Sequence, residues 1–166
     1  MAVVKLKGNN FHTSGNLPNK GSKVSDFTLV AGDLSEKSLN DFSGSRLILN
    51  IFPSVDTGTC ATSVRTFNKT ATDLTNTKVL CISRDLPFAQ GRFCGAEGIE
   101  NVVMLSDFVS GAFGDSNGLN FIDGPLKGLN SRSIIVVDEN GIIIHTEQVA
   151  ETVDEPNYEA ALEVLK

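Results

Sequence analysis

The apolar positions change their spacing several times along the chain, and each change marks an element. Short continuous or alternating apolar runs predict strands over Asp26–Val30, Arg46–Phe52, Lys78–Ser83, Val102–Leu105, Ser133–Val137 and Gly141–Thr146. Asp138-Glu139-Asn140-Gly141, between the last two, is a turn signal that predicts an antiparallel hairpin. Nearer the start, Val3–Leu6 and Phe11–Thr13 flank Gly8-Asn9-Asn10 and predict a smaller hairpin, followed by a polar connection over Pro18–Ser25.

Helical spacing appears in three other places. Cys60, Val64, Phe67, Ala71 and Leu74 recur at steps of four, three, four and three, which draws one apolar stripe on a helix starting near Gly58 and turns Cys60 inward. A second helix opens at Asp85-Leu86-Pro87, with Asp85 as its expected cap and Pro87 in its first turn, and carries Phe88, Ala89, Phe93 and Cys94. Gly91, Gly95 and Gly98 weaken that helix, so its C-terminal part should open at low cost. From Pro156 a third runs through Tyr158, Ala161, Leu162 and Leu165 and closes on the sheet. Strands interleaved with helices give an α/β chain. With no repeat or long linker to divide it, residues 1–166 read as a single domain in which 1–16 form a hairpin extension.

Composition narrows the function classes. The 166 residues, 40% of them hydrophobic, suffice for one sizeable core. A formal net charge of -6 argues against nucleic acid or an anionic membrane surface as partner. The opening Met1-Ala2-Val3-Val4-Lys5 breaks its apolar run too early for a secretory signal, and no segment approaches the length of a membrane span. A cytoplasmic chain is the expectation. Three cysteines, an odd number, do not make a secreted disulfide framework, so a disulfide in this chain should be transient.

Each cysteine has a plain reading and a chemical one. Cys81 lies within Val79-Leu80-Cys81-Ile82 and reads as a packed core thiol. Cys60 could also be filler on its stripe. Its first-turn position, however, sets it beside unpaired backbone N–H groups and the positive end of the helix dipole, which favour a thiolate. Cys94, next to Gly95, reads either as an incidental surface thiol or as the accessible partner that a sulfenic acid requires. His12 and His145 each fall in a predicted strand without ligand spacing, so no metal and no cofactor is expected.

Pro53, Thr57 and Cys60 form a Pro-x-x-x-Thr-x-x-Cys string at the end of the run Leu47–Phe52, and this string resembles the active-site signature of the peroxiredoxins. The longer stretch Asn50–Cys60, with Ser63-Val64-Arg65 and Phe67-Asn68, is similar to the bacterial thiol peroxidase subfamily, of the atypical 2-Cys type. So, in order, are Val79–Arg84, Asp85–Gln90, Arg92–Gly98, Asp123–Leu129 and Glu155–Leu162, which extends the resemblance over nearly the whole chain. It implies a thioredoxin-like fold with a central mixed sheet flanked by helices and an N-terminal hairpin. It also implies Cys60 as peroxidatic cysteine, Cys94 as resolving cysteine, Arg132 as active-site arginine, and Pro53 and Thr57 as shapers of the pocket.

The implied activity is reduction of hydrogen peroxide and organic hydroperoxides, an antioxidant function. Cys60 becomes a sulfenic acid, Cys94 condenses with it within the chain, and thioredoxin reduces the disulfide. A homodimer is implied by the resemblance alone. Among Arg46, Arg65, Arg84, Arg92 and Arg132, sequence by itself does not single out Arg132, and Arg65 and Arg92, each on a helix, read as surface or helix-pairing residues. Thr59 stands where the subfamily usually has a small apolar residue. Three other classes compete. A protein dithiol oxidoreductase would need Cys-x-x-Cys, but Ala61-Thr62-Ser63 follow Cys60. A redox sensor would share the first chemical step. A purely binding domain would leave Thr57, Cys60 and Cys94 without a joint purpose.

Overall fold

The computed structural model describes residues 1–166. At the N-terminus β1 (Val3–Leu6) and β2 (Asn9–His12) form a two-stranded hairpin. The central sheet is built from β3 (Thr28–Ala31), β4 (Glu36–Ser38), β5 (Arg46–Ile51), β6 (Thr77–Ser83), β7 (Val103–Ser106), β8 (Ser133–Val137) and β9 (Ile143–Gln148). Its seven strands lie in the order β4-β3-β7-β6-β5-β8-β9. β5, β6 and β7 run parallel, whereas β8 pairs antiparallel with both β5 and β9, and β3 antiparallel with β7, so the sheet is mixed. The helices are α1 (Gly58–Ala71), α2 (Pro87–Glu97), α3 (Ala112–Ser116) and α4 (Tyr158–Glu163).

Alternation along the central strands separates two cores. Leu47, Leu49 and Ile51 of β5, Leu80 and Ile82 of β6, and Ile135 and Val137 of β8 face Phe27, Phe42, Phe113 and Leu119. Ile48 and the following Phe52, with Val79 and Cys81 of β6 and Ile134 and Val136 of β8, face the opposite way. There they meet Cys60, Val64 and Phe67 of α1, Phe93 of α2 and Ala161 of α4. Because β5 is covered on both sides, its sequence is a nearly unbroken apolar run with no polar face. The exception is Asn50, fully buried on the α1 side.

The predicted strands are all present, with ends displaced by at most two residues, and the hairpin of β8 and β9 is antiparallel as its turn residues require. Gly141 supplies the positive φ of that turn, +81°. Two short elements, β4 and α3, escape sequence reading because three and five residues are too few to show a period. The apolar stripe on α1 outlasts the helix: Ala71 is its last residue, and Leu74 packs on the same core from the following turn. The closing helix is shorter than expected, starting at Tyr158 with the Asn157 side chain accepting from Ala160 N–H at 3.0 Å. Asp85 is not the cap of α2. Leu86 holds the N-cap position, and the Asp85 carboxylate is engaged elsewhere. No helix is long and apolar enough to cross a membrane.

The segment after β2 lies directly against the loop that follows α3. Gly118 has φ +69°, and a Cβ there would lie 2.4 Å from the Asn16 carbonyl oxygen and 2.6 Å from its nitrogen. Backbone atoms cannot swing aside as a side-chain tip can. Gly118→Ala is therefore expected to cost about 2–4 kcal/mol of unfolding free energy. Urea denaturation measures it, and a change within half a kilocalorie would show that these two segments separate freely.

Candidate active site

Strand polarity assembles the site. β5 ends at Ile51, which pairs with Ser133, the first residue of the antiparallel neighbour β8. Arg132 therefore enters the sheet beside the point where the chain leaves it through Phe52 and Pro53 toward α1. Gly58 opens α1 behind the N-cap Thr57, so Cys60 is its third residue. The first helical hydrogen bond runs from Ala61 N–H to the Thr57 carbonyl at 3.0 Å. The N–H groups of Gly58, Thr59 and Cys60 are consequently the open donors of the helix start, close to the sulfur.

Cys60 is 0% exposed and Arg132 is 2% exposed. Arg132 Nη2 lies 3.4 Å from Cys60 Sγ. Nε and Nη2 of the same guanidinium donate to the Thr152 carbonyl at 3.2 and 2.9 Å, while Nη1 is buried without a partner. The ion pairs of the protein are His12–Asp123, Arg65–Glu97, Arg92–Asp56 and Lys166–Glu163, and none involves Arg132. A permanent charge held away from water without a carboxylate is costly. The Cys60 sulfur is the side-chain atom that the guanidinium faces instead.

Pro53 is buried at the base of the loop, and Thr57 is exposed at its mouth. Thr57 Oγ1 donates to the Ser54 carbonyl at 3.1 Å and makes no capping bond to α1, so toward the site it presents lone pairs. The loop is shaped by Asp85. One carboxylate oxygen accepts from Ser54 Oγ at 2.7 Å; the other accepts from Val55 N–H at 2.9 Å and from Ser83 Oγ at 2.6 Å. Asp85 thereby ties the end of β6 and the start of α2 to the loop that carries Thr57 and Cys60.

Cys94 is half-buried on α2 and packs against the same apolar cluster as Cys60. Burial pushes its thiol above the ordinary cysteine range. The helix is continuous through Gly91 and Gly95 and ends at Gly98, φ +64°, in the left-handed cap geometry. Arg65 of α1 grips Glu97 with two hydrogen bonds, 2.8 and 3.0 Å, and lies over the Phe93 ring. Arg92 reaches Asp56 at 2.7 Å. These arginines, read from sequence as surface or helix-pairing residues, join α2 to α1 and to the site loop. All three cysteines are free thiols.

Cys81 is 0% exposed, and burial raises its thiol to about 12. Asn50 Nδ2 points at it from 3.6 Å and donates to Ser63 Oγ at 3.2 Å, which in turn donates to the Cys60 carbonyl at 2.8 Å. Asn50 thus links the sheet to the first turn of α1. As the lone polar residue in Leu47–Phe52 it carried a signal that could have been read. Thr152 carried none, because it acts through its carbonyl. Asp85 did carry a signal, but a position before Pro87 pointed to a cap.

A family model described as Redoxin matches residues 19–162. The chain is 57% identical over 165 residues to a thiol peroxidase of Corynebacterium glutamicum, covering 99% of each protein. Among solved structures it superposes on a peroxiredoxin-like protein from Aquifex aeolicus with a TM-score of 0.92 at 32% identity, covering 99% of this chain and 96% of the other. A thiol peroxidase from Chromobacterium violaceum gives 0.91 at 24% identity, covering 98% and 94%, and adds support for the fold. The thioredoxin-like architecture expected from sequence is the one observed.

The buried thiol of Cys81 makes stability depend on alkaline pH. In the folded state it keeps its proton up to about 12, whereas an ordinary thiol releases it near 9.0. Its contribution is complete below about 9 and is lost as pH rises toward 12, because the unfolded chain alone ionises in that window. Between pH 9 and pH 11 the protein should lose roughly 2–3 kcal/mol more stability than Cys81→Ala, at 1.36 kcal/mol per unit. Parallel losses in urea titrations of the two proteins would contradict this.

Proposed function

Because this chain belongs to the redoxin family and reduces peroxides as a thiol peroxidase, we propose that its turnover runs through Cys60 and Cys94, with Arg132, Thr57 and Pro53 forming the pocket. The observation that carries these assignments is the 3.4 Å approach of a buried, carboxylate-free guanidinium to a fully buried sulfur at a helix start. Cys60 thiolate attacks one oxygen of the hydroperoxide, the O–O bond breaks, and the other oxygen leaves as water or an alcohol after taking a proton. Thr57 Oγ1 accepts the O–H of the bound peroxide, and the unpartnered Arg132 Nη1 donates to the oxygen on which charge builds.

Ionisation alone is a small accelerator. Each unit by which a thiol's pKa falls costs about threefold in intrinsic nucleophilicity, for a Brønsted coefficient of about 0.45. The larger part of the rate comes from holding the peroxide in line and stabilising the departing oxygen. Lysine keeps the charge of Arg132 but not its planar, two-pronged donor edge. Arg132→Lys should therefore lower the rate constant for Cys60 oxidation at least tenfold. The pH dependence of Cys60 alkylation should move little. Equal losses in oxidation rate and in thiolate fraction would show that the arginine works only through ionisation.

Condensation follows. The Cys94 thiol attacks the sulfenic sulfur, water leaves, and a disulfide joins α1 to α2. Both helices are continuous through their cysteines in the reduced protein, so bridging them calls for local unwinding. Gly91 and Gly95, on either side of Cys94, are the weak points. Thioredoxin, an external dithiol, then reduces the disulfide by exchange. We place the enzyme in the cytoplasm as an antioxidant homodimer. Leu86 and Phe88 after β6, and Phe108 and Val109 after β7, are exposed apolar side chains following the ends of adjacent parallel strands, and they offer a face for that dimer.

Peroxide turnover with a thioredoxin system, measured for each cysteine-to-serine variant, tests the assignments. Cys60→Ser should abolish reaction. Cys94→Ser should stop after one turnover with a sulfenic acid trapped by a dimedone-type reagent. Cys81→Ser should turn over nearly as the parent does. An inactive but folded Cys81→Ser, or a Cys94→Ser that cycles normally, would overturn the roles of the three cysteines.

A further inference from the structure

Arg132 is aimed at Cys60 by a carbonyl, and that carbonyl is held by the first strand of the chain. The Thr152 oxygen that accepts from Arg132 Nε and Nη2 belongs to a residue whose own N–H and Oγ1 both donate to the Lys5 carbonyl, each at 2.8 Å. Lys5 N–H returns a bond to the Ala150 carbonyl at 2.8 Å, and Lys5 bridges Glu151 in parallel. Residues 150–152 thus run beside β1, joined to it by one isolated parallel bridge and its flanking hydrogen bonds.

Glu151 closes this arrangement. Its two carboxylate oxygens accept from Lys7 N–H at 2.9 Å and from Gly8 N–H at 3.0 Å. Those two residues form the hairpin turn, with φ of +50° and +81°. Two donors aimed at one carboxylate make charge-assisted bonds that orient the turn as well as attach it. On the other side, Thr59 Oγ1 donates to the Val153 carbonyl at 2.9 Å. One short segment therefore grips the arginine through residue 152 and the first turn of α1 through residue 153.

We infer that Glu151 and the N-terminal hairpin are the positioning device of the active-site arginine: Glu151 fastens the hairpin turn to segment 150–153, and the hairpin fixes the Thr152 carbonyl that directs Arg132 at Cys60. The inference rests on the reading of Cys60 and Arg132 as the reacting pair. Its physical basis is the absence of any carboxylate on Arg132. An arginine in an ion pair is directed by its counter-ion, whereas the Arg132 guanidinium plane follows one peptide oxygen, and a small tilt of that peptide moves both Nη1 and Nη2.

The test is a double-mutant cycle read by stopped-flow oxidation of Cys60 with hydrogen peroxide in single turnover. Glu151→Ala should slow the reaction roughly tenfold, the scale of a modest misplacement of a catalytic group. Glu151→Gln, which retains one acceptor oxygen, should recover part of the loss and carries the cycle if the alanine variant does not fold. Combined with Arg132→Ala, either change should add almost nothing, because a residue acting through Arg132 has no effect once Arg132 is gone. Multiplying effects in the double variant, or a Glu151→Ala that reacts at the parent rate, would refute the inference. An unchanged rate for Arg132→Ala alone would instead refute the underlying reading of the site.

Discussion

A guanidinium buried without a carboxylate is the constraint on which the rest of the structure depends. Arg132 is almost sealed from water, yet its partners are one peptide oxygen and one sulfur. No carboxylate neutralises it, and the Cys60 sulfur is the side-chain atom it faces. Placing Arg132 at the edge of β8, antiparallel to β5, brings it to the chain's exit toward α1 without lengthening any loop. The apolar core around Cys60 then keeps water from competing for the same donors.

Three cysteines on one face of the sheet show how depth and neighbours divide their roles. Cys81 and Cys60 are equally buried, so burial alone does not separate them. Cys81 sits in mid-strand, where its side-chain hydrogen-bond partner is an amide, and its proton is held tightly. Cys60 has the open N–H groups of a helix start and an arginine beside it. Cys94 shares their apolar cluster but lies on a helix fastened at its two ends, by Asp85 before it and by Arg65 to Glu97 after it.

Much of this is legible in the chain. The stripe of Cys60, Val64 and Phe67 turns the thiol inward, and the continuous apolar run of β5 and the hairpin of β8 and β9 are visible because period and turn chemistry are local properties. What escapes is carried by backbone groups or by short elements. Thr152 works through a carbonyl, which no side chain announces. Asp85 reads as a cap because Asp before a Pro-initiated helix has that local meaning. Two of its actual partners, Ser54 and Val55, lie about thirty residues earlier in sequence and become neighbours only through the parallel pairing of β5 with β6. Arg132 can be singled out by resemblance but not by pattern, since its distinction is the missing counter-ion.

The hydroxyl of Thr57 has already committed its proton to the Ser54 carbonyl. At the mouth of the pocket it can therefore only receive. With Thr57 in the proposed pocket role, a molecule docking there would bring a hydrogen of its own, as hydroperoxides and water do and as peroxides substituted on both oxygens do not. On the proposed reading of the site, the loop would sort oxidants by a single O–H bond before the sulfur is reached.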